Sequence, residues 1–264
     1  MKTLIYQVYV GRRSLVHDLC VNSVREYADT IGADYVCQDQ PLLRIKPNPF
    51  TSNRSENSWK QHGGFLPIYE KENVFNYVYD YDRVCVIDND IWVRPGTSSI
   101  FEEVGDYDIA AQFERELPAE ASYRKRIKLY SEQQLEPLGQ YDWDWNEDGG
   151  NFFNSGVIVY NTSIREILGG QRAKEFMERV DFQDFIDGKG YWKWQTDQIM
   201  LNYWAKKENL RVKHLDWKWN ALYNPFFGGV DKDSIKEAHF VHFFQSGRLG
   251  QYTRTPQDLL ELVK

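Results

Sequence analysis

Two acidic residues at the end of an apolar run are the clearest chemical feature of this chain. Residues 84–90 read VCVIDND, and Asp88 and Asp90 close a stretch typical of a strand buried on both faces. Because side chains alternate along a strand, Asp88 and Asp90 should face one object together while Asn89 faces elsewhere. Paired carboxylates repel each other unless a cation lies between them. Their hard oxygen ligands suit Mg²⁺ or Mn²⁺, ions that also bind phosphates. The pattern predicts a metal–diphosphate site.

The elements that must position these acids alternate between strands and helices. Residues 3–10 predict a first strand, Ser14 caps a helix that runs to about Ile31 and ends at Gly32, and residues 35–37 predict a second strand. No GxGxxG follows the first strand, so the dinucleotide fingerprint is missing. This alternation predicts an α/β fold with a mostly parallel central sheet flanked by helices. Ligands of such sheets gather at the carboxyl ends of the strands, where Asp88 lies.

The rest of the chain continues the alternation around two polar stretches. Residues 38–63 predict a loop, residues 115–150 are charged and aromatic with a loop-like stretch from Trp143 to Asp148, and Pro67 predicts the first turn of a helix that leads to the Asp88 strand. Neither an internal repeat nor a linker is evident, which favours one domain over residues 1–264. The further predictions are strands at 108–112, 156–160 and 212–215, helices at 163–180 and 196–208, and a closing helix from Thr255.

Composition restricts the classes of partner. The net charge of −7 argues against a nucleic-acid binder that neutralises phosphates, and the basic residues 124–128 predict a solvated face. Aromatic residues make up 16%; most should fill the core, although aromatic faces also stack on sugars. Three cysteines without CxxC spacing indicate free thiols in a reducing compartment. No signal peptide and no membrane span are recognisable, so we expect a cytoplasmic protein.

Five segments in order carry a resemblance to a known family. The chain resembles nucleotide-sugar glycosyltransferases of the GT-A fold, and is most similar to the glycogenin and lipopolysaccharide galactosyltransferase group. The resemblance implies a single GT-A (Rossmann-like) domain with a nucleotide-binding half at 1–112, an acceptor and donor-sugar half at 113–250 and a C-terminal helix at 251–264. The segments are residues 81–90 (YDRVCVIDND), 153–161 (FNSGVIVYN), 194–202 (WQTDQIMLN), 215–220 (LDWKWN) and 238–243 (AHFVHF).

In that family, two acids of a DxD motif and a late histidine hold Mn²⁺ against the donor diphosphate, which here implies Asp88, Asp90 and one of two histidines. His239 and His242 are an odd number of residues apart in an extended segment, so they should face opposite sides. The family pattern, with a histidine shortly before a glycine (here Gly247), favours His242. The usual lysine of the family ending is missing, and Arg248 is the candidate replacement for phosphate binding.

The resemblance also implies donor contacts. Uracil and ribose are expected near Tyr9, Val10 and Gly11, with Asp88 or Asn89 close to the ribose. The donor sugar is expected at Asn154, Ser155, Gly156, Asp197 and Gln198, although a tight turn entering a strand, and for Asp197 a favourable helix dipole, explain these residues structurally as well.

A general base would be needed if the reaction inverted configuration. The candidates are Asp197, Glu147 and Asp148; the glycogenin-like group retains configuration. Trp143 and Trp145 suggest an acceptor platform, and Lys60 and His62 are weaker candidates for diphosphate or acceptor contacts.

The metal–diphosphate site and the resemblance together imply a metal-dependent glycosyltransferase that moves a hexose or pentose from a nucleoside-diphosphate sugar to a glycan hydroxyl. The resemblance favours UDP, with Mn²⁺ or Mg²⁺ as cofactor. Two alternatives stay open: a non-catalytic sugar- or nucleotide-binding protein of the same fold, and a DxD Mg²⁺-dependent phosphatase. Trp92 stands where the phosphatase motif usually carries Thr or Val.

Overall fold

A six-stranded sheet forms the centre of the computed structural model, which describes residues 1–11, 14–193, 197–245 and 255–263. The strand order is β2-β1-β3-β6-β5-β7, and only the two pairings of β6, with β3 and with β5, are antiparallel among these strands. The sheet is therefore mostly parallel and flanked by helices, as predicted. Its strands are β1 (Thr3–Val8), β2 (Asp34–Gln38), β3 (Arg83–Ile87), β5 (Ile109–Phe113), β6 (Phe153–Asn161) and β7 (Val212–His214).

The central strands are buried on both faces, as the continuous apolar run predicts. In β1 and β3, Leu4 and Val84 belong to one cluster of buried side chains, whereas Ile5 and Cys85 belong to another on the opposite face. α1 (Leu15–Ile31) connects β1 to β2; Ser14 caps it through His17 N, and Gly32 ends it with φ 68°. This unit holds the carboxyl ends of β1 and β3 side by side.

A smaller four-stranded sheet brings a distant part of the chain to the Asp88 edge. Its order is β4-β10-β8-β9, with β4 (Ile91–Val93), β8 (Ala221–Asn224), β9 (Gly228–Gly229) and β10 (Phe240–His242). β10 pairs antiparallel with β4, which places His242 opposite Ile91, and Phe243 N donates to Asp90 O at 2.9 Å. Residues about 150 positions apart along the sequence therefore meet directly after β3.

Several predicted boundaries differ from the structure. The segment after Pro67 is a 3₁₀ helix (Pro67–Asn76), and the predicted helix at 163–180 is two short helices separated at Gly169 and Gly170, which have positive φ. The stretch at 38–63, expected as a loop, contains a helix, and the charged and aromatic stretch at 115–150 contains another. The α-helices after α1 are α2 (Ser55–His62), α3 (Ala121–Leu135), α4 (Ile164–Leu168), α5 (Ala173–Met177), α6 (Gln183–Asp187), α7 (Asp197–Lys207) and α8 (Pro256–Glu261).

Within the described ranges, none of the helices combines the length and apolar character that crossing a membrane requires.

Candidate active site

Asp88, Asp90 and His242 converge where β3 ends. One ligand atom from each lies within 4.8 Å of the others. His242 Nε2 is 3.2 Å from Asp90 Oδ1 and 3.9 Å from Asp88 Oδ2. The two acids face the same point as predicted, but through a turn between β3 and β4 and not through strand alternation. Two carboxylates and an imidazole form a donor set that suits a divalent cation such as Mn²⁺.

The surroundings of His242 fix its ring. His242 Nδ1 lies 2.9 Å from Asn220 Oδ1, while Asn220 Nδ2 donates to Asn154 Oδ1 at 2.8 Å. Because the Asn220 oxygen must then accept, Nδ1 carries the proton and Nε2 points toward the acids. A side chain at Gly156 would come within 2.5 Å of the His242 ring, so glycine is required for this approach. These contacts leave Nε2 of His242 directed at Asp88 and Asp90.

Electrostatics couple the histidine to the acids. Burial alone would lower the pKa of His242, but the charges of Asp90 and Asp88 and the hydrogen bond to Asp90 outweigh it and raise this pKa. Burial alone would raise the pKa of Asp90, but the charge of His242 and the hydrogen bond with it outweigh burial and lower this pKa. Positive charge on His242 and negative charge on Asp90 and Asp88 therefore stabilise each other.

Lys71 is a buried cation beside these acids. Its Nζ lies 2.8 Å from Asp88 Oδ1 and 2.8 Å from Asp197 Oδ2, and it donates to Ser155 O at 3.3 Å. Burial lowers the pKa of this amine, but the charges of Asp197 and Asp88 outweigh burial and raise it. For Asp197, burial raises the pKa, although the charge of Lys71 opposes this effect. Lys71 therefore stays charged and links the Asp88 edge to the start of α7.

A second buried acid, Glu114, organises the other side of the site. It follows β5 directly, and its Oε1 accepts from Asn154 Nδ2 at 2.8 Å and from Gln198 Nε2 at 2.9 Å. Burial raises the pKa of Glu114, although both amides oppose this effect. A continuous set of hydrogen bonds thus runs from Glu114 through Asn154 and Asn220 to His242.

Cavities lie on both sides of the three candidate ligands. The larger, of about 580 Å³, is bounded by the end of β1 and by α2, and Asp88, Asn89 and Asp90 line it together with Lys71. A cavity of about 410 Å³ lies on the other side and is lined by Glu114, Asn154, Gln198 and His242. A small space of about 160 Å³ lies between them at Lys71, Asp88 and Asp197. Both larger volumes fall in the range of about 300–1,000 Å³ that is usual for small-ligand sites.

Most of the residues predicted for the donor lie near this edge. Val10 and Asn89 line the larger cavity, whereas Tyr9 is buried beside it with its hydroxyl bonded to Ser14 N. Asn154, Ser155 and Gly156 lie inside β6 and not in a turn before it. The remaining predicted residues near the edge are Asp197, whose Oδ1 accepts from Ser155 Oγ at 3.3 Å, and Gln198, whose Oε1 accepts from Ser155 N at 3.3 Å.

Other predicted residues lie elsewhere. Trp143 is 1% exposed and donates to Leu138 O, so the idea of an exposed platform is wrong for it, whereas Trp145 is 45% exposed. Glu147 and Asp148 belong to the turn around Gly149 and do not line the cavities at the sheet edge. Lys60 is exposed and pairs with Glu56, and His62 lines the larger cavity. Gly247, Arg248 and residue 196, where the helix before Asp197 was predicted to begin, lie outside the described residues.

Nothing in the sequence marks Lys71, because its partners come from three separate segments. Glu114 carried a usable signal: it is an acid directly after a strand, which is the rule that identifies Asp88. With β5 two strands from β3 in the sheet, that rule would have placed Glu114 at the same edge.

Comparison with known proteins supports the architecture. No family model and no curated protein matches this sequence. Solved structures match over nearly the whole chain, and they define the fold as that of GT-A glycosyltransferases, as the resemblance implied.

Three of these structures illustrate the likeness. A glycosyltransferase involved in glycosylation of the major capsid of PBCV-1 has a TM-score of 0.53 at 12% identity, with 100% of both chains covered. The galactosyltransferase LgtC, solved with donor and acceptor sugar analogues, has a TM-score of 0.52 at 14% identity, with 98% of this chain and 99% of that one covered. Mouse xyloside xylosyltransferase 1 has a TM-score of 0.54 at 12% identity, with 93% and 99% covered. At these identities the likeness establishes the fold.

Proposed function

We propose that this protein is a metal-dependent glycosyltransferase that takes a sugar from a nucleoside diphosphate, with UDP favoured by resemblance, and transfers it to a glycan hydroxyl. The observation that carries the proposal is the convergence of Asp88, Asp90 and His242 between two cavities at the carboxyl edge of the sheet. One cavity is then available to the donor and the other to the acceptor. LgtC, which shares the fold, was solved with both a donor and an acceptor analogue.

The proposed cofactor is Mn²⁺ or Mg²⁺, held by Asp88, Asp90 and His242. When bound, such a cation supplies positive charge that stabilises the departing diphosphate. Asn220 holds His242 in the tautomer that presents Nε2, and Gly156 lets the ring approach β6. The chain itself thus orients the ligands before the cation arrives.

The larger cavity fits the donor. Val10 and Gly11 at the end of β1 would lie against the base and ribose, and Asn89 next to Asp88 would lie near the ribose. Lys71 would place a fixed positive charge between the cavities, because burial and two carboxylates hold it in position. The donor sugar is thereby directed toward Asn154, Asp197 and Gln198, which line the small space beyond. Holding both reactants in this way is the positioning contribution to catalysis.

Asp197 is the nearest of the candidate catalytic acids. It is 1% exposed at the start of α7 and lines the small space between the cavities, whereas Glu147 and Asp148 lie away from it. We therefore propose Asp197 as the first acid to test. Arg248 and Gly247 remain proposed phosphate contacts on resemblance alone.

Thermal-shift measurements with UDP- and GDP-sugars, with and without Mn²⁺, test the proposal. We expect a sugar nucleotide to raise the midpoint of unfolding only when Mn²⁺ is present, and released UDP or GDP to accumulate over time. His242→Ala should abolish the metal-dependent shift. His239→Ala is the matched control, because His239 lies three residues earlier and packs against Trp219 with ring centroids 4.8 Å apart.

The alternatives give different results. Metal-dependent binding without any nucleotide release would favour a non-catalytic binding protein. Hydrolysis of a phosphomonoester without a response to sugar nucleotides would favour a phosphatase. Loss of the shift in His239→Ala alone would show that the other histidine faces the metal.

A further inference from the structure

A third cavity lies along α3, beyond the proposed acceptor side of the active site. It has a volume of about 460 Å³ and lies between the first half of α3 and the hairpin formed by β8 and β9. Arg126 lines both this cavity and the one next to Glu114 and His242. The two spaces therefore adjoin at Arg126, and together they form a path from the candidate metal ligands to the hairpin. We name this path the α3 groove, defined by Tyr123, Arg126, Tyr130, Phe226 and Phe244.

One face of α3 is turned toward the groove. Tyr123, Arg126, Ile127 and Tyr130 recur at the spacing of three to four residues that places side chains on one side of a helix. Tyr123 packs against Phe244 with ring centroids 5.4 Å apart. The basic residues Arg124, Lys125 and Arg126 are exposed, as expected of a solvated face, and Arg126 in addition lines two cavities. The segments that carry the family resemblance do not include this helix.

The hairpin is built to stay close to α3. Arg126 Nη1 donates to Phe227 O at 2.6 Å, and Glu120 N donates to Gly229 O at 3.2 Å. Gly228 has φ +87°, and its Cβ position would lie 3.5 Å from Tyr123, so the backbone turns tightly beside the helix. At the tip of the turn, Phe226 is 51% exposed. An aromatic side chain is thus held in contact with solvent by a backbone that is fixed from two sides.

We propose that the acceptor is an oligosaccharide of at least two units, which lies along the α3 groove with its reacting end at Glu114 and His242. This inference rests on the proposed function. Its physical basis is the continuity of the groove with the candidate active site, together with a lining in which aromatic faces alternate with hydrogen-bonding groups. Flat aromatic faces provide large contact area to the C–H faces of sugars, and Arg126 offers donors between successive units. The unit next to the reacting one lies at Arg126, and a more distant unit lies against Phe226.

Acceptor length is the quantity to measure. The full chain, Mn²⁺ and the sugar nucleotide that gives the largest thermal shift are incubated with arrays of immobilised mono-, di- and trisaccharides. For each sugar series that is modified, kcat/KM is then determined in solution. We expect the di- or trisaccharide to exceed the matching monosaccharide by about tenfold, the scale expected from burial of one aromatic face.

Two substitutions locate the effect. Phe226→Ala and Arg126→Ala should each reduce the ratio of kcat/KM between oligosaccharide and monosaccharide toward one. Leu129→Ala is the control, because Leu129 is 55% exposed on the same helix and does not line the groove. Thermal unfolding of each variant without ligand tests whether the substitution has changed folding as well as the ratio of kcat/KM. Phe226→Ala is expected to leave folding unchanged, because the side chain of Phe226 is half exposed.

The outcomes separate this inference from the proposed function. Donor binding and slow donor hydrolysis need no acceptor, so a Mn²⁺-dependent thermal shift together with slow nucleotide release supports the proposed function without any acceptor. If monosaccharides react as well as longer chains while that shift is present, the α3 groove is not an acceptor site. An unchanged ratio in both Phe226→Ala and Arg126→Ala would also overturn it. Absence of any donor response would overturn the proposed function and this inference together.

Discussion

Glu70 and the pair of Asp88 and Asp90 differ in how the charge of the carboxylates is satisfied. Glu70 is fully buried, and its Oε2 accepts from Leu42 N at 2.7 Å and from Leu43 N at 3.0 Å, while its Oε1 accepts from Arg44 N at 2.7 Å. These donors belong to the backbone and cannot leave. Asp88 and Asp90 are instead neutralised by the side chains of Lys71 and His242. The hydrogen bonds to Glu70 come from the backbone of the fold itself. The side-chain partners of Asp88 and Asp90, in contrast, can be exchanged for a ligand.

This difference distinguishes a structural carboxylate from a candidate functional one. Backbone N–H groups around Glu70 gain their hydrogen bonds only when the loop of residues 40–44 adopts its folded shape, so the acid stabilises that loop. At the Asp88 edge, the acids carry more negative charge than fixed donors satisfy, and His242 lies beside them as a third candidate ligand. The two cases differ in burial, since Asp88 and Asp90 are partly exposed, and they differ also in the identity of the partners.

The strongest test of the comparison removes one acid from the edge. Asp90→Asn should reduce metal-dependent turnover of the sugar nucleotide by about 10²- to 10³-fold, the scale on which loss of one charge-stabilising group slows catalysis. Because Asn is nearly isosteric, unfolding by denaturant should change little. Steady-state nucleotide release at saturating Mn²⁺ measures the effect, and removal of metal with EDTA from the unsubstituted protein should give a loss of similar size. Full activity in Asp90→Asn would remove this acid from the site.

The opposite result is expected at Glu70. Glu70→Gln replaces one accepting oxygen with an NH₂ group that faces other donors, and we expect a loss of about 3 kcal/mol in the free energy of unfolding. Mn²⁺ binding to the folded protein should be retained, since Glu70 does not contact the candidate ligands. Denaturant titration and calorimetric Mn²⁺ binding measure the two properties. Glu26→Gln, at an exposed acid of α1, is the control for the loss of one charge. If Glu70→Gln reduced the affinity for Mn²⁺ more than the free energy of unfolding, the distinction between the two sites would be wrong.

A third substitution separates the ligand from its support. Asn220→Ala removes the oxygen that accepts from His242 Nδ1 but leaves all three candidate ligands in place. Loss of such a supporting hydrogen bond typically weakens metal affinity by about 10- to 100-fold. Titration calorimetry with Mn²⁺ measures this change. An affinity equal to that of the unsubstituted protein would mean that His242 does not need Asn220 to present Nε2.

The sequence predicted the parts of this site that follow local rules. A strand buried on both faces must be continuously apolar, so the end of β3 at Asp88 was visible, and the odd spacing of His239 and His242 correctly separated their faces. The pairing of β10 with β4 cannot be read locally, since these short strands carry no signal beyond a few apolar residues. It was the family resemblance, and not periodicity, that identified His242 as the partner of the two acids.

What the sequence did not predict depends on partners from distant segments. Glu70 and Lys71 are adjacent charged residues in a segment predicted to be a helix, and charged helix residues are normally solvated. Here a 3₁₀ helix turns both into the interior, where backbone amides satisfy one and two carboxylates satisfy the other. The prediction that Trp143 forms an exposed platform was wrong for a similar reason. The acids and glycines around it indicate an exposed loop, yet its ring is buried and its Nε1 donates to Leu138 O.

The smallest expected effect concerns an acid that lies between the two extremes. Asp108 accepts from Arg211 N at 2.8 Å, a fixed donor, and pairs with the Arg211 guanidinium at 2.9 Å, a movable one whose side chain is 60% exposed. Burial raises the pKa of Asp108, but the hydrogen bonds from Arg211 outweigh it and leave this pKa below its ordinary value. The carboxylate therefore stabilises the fold above the unfolded-state pKa of about 3.9, and this contribution is lost as the pH falls through the lower folded-state value.

Asp108→Asn should accordingly lower the free energy of unfolding by about 1 kcal/mol at neutral pH, because solvent screens the exposed half of the pair. The difference from the unsubstituted protein should shrink as the pH falls below about 4 and vanish once Asp108 is protonated. Denaturant titrations across that range measure it, with the exposed Asp106→Asn as control. A difference that persists in acid would mean that the backbone donor alone accounts for the stabilisation. Asp108 would then belong with Glu70, and its movable partner would contribute nothing.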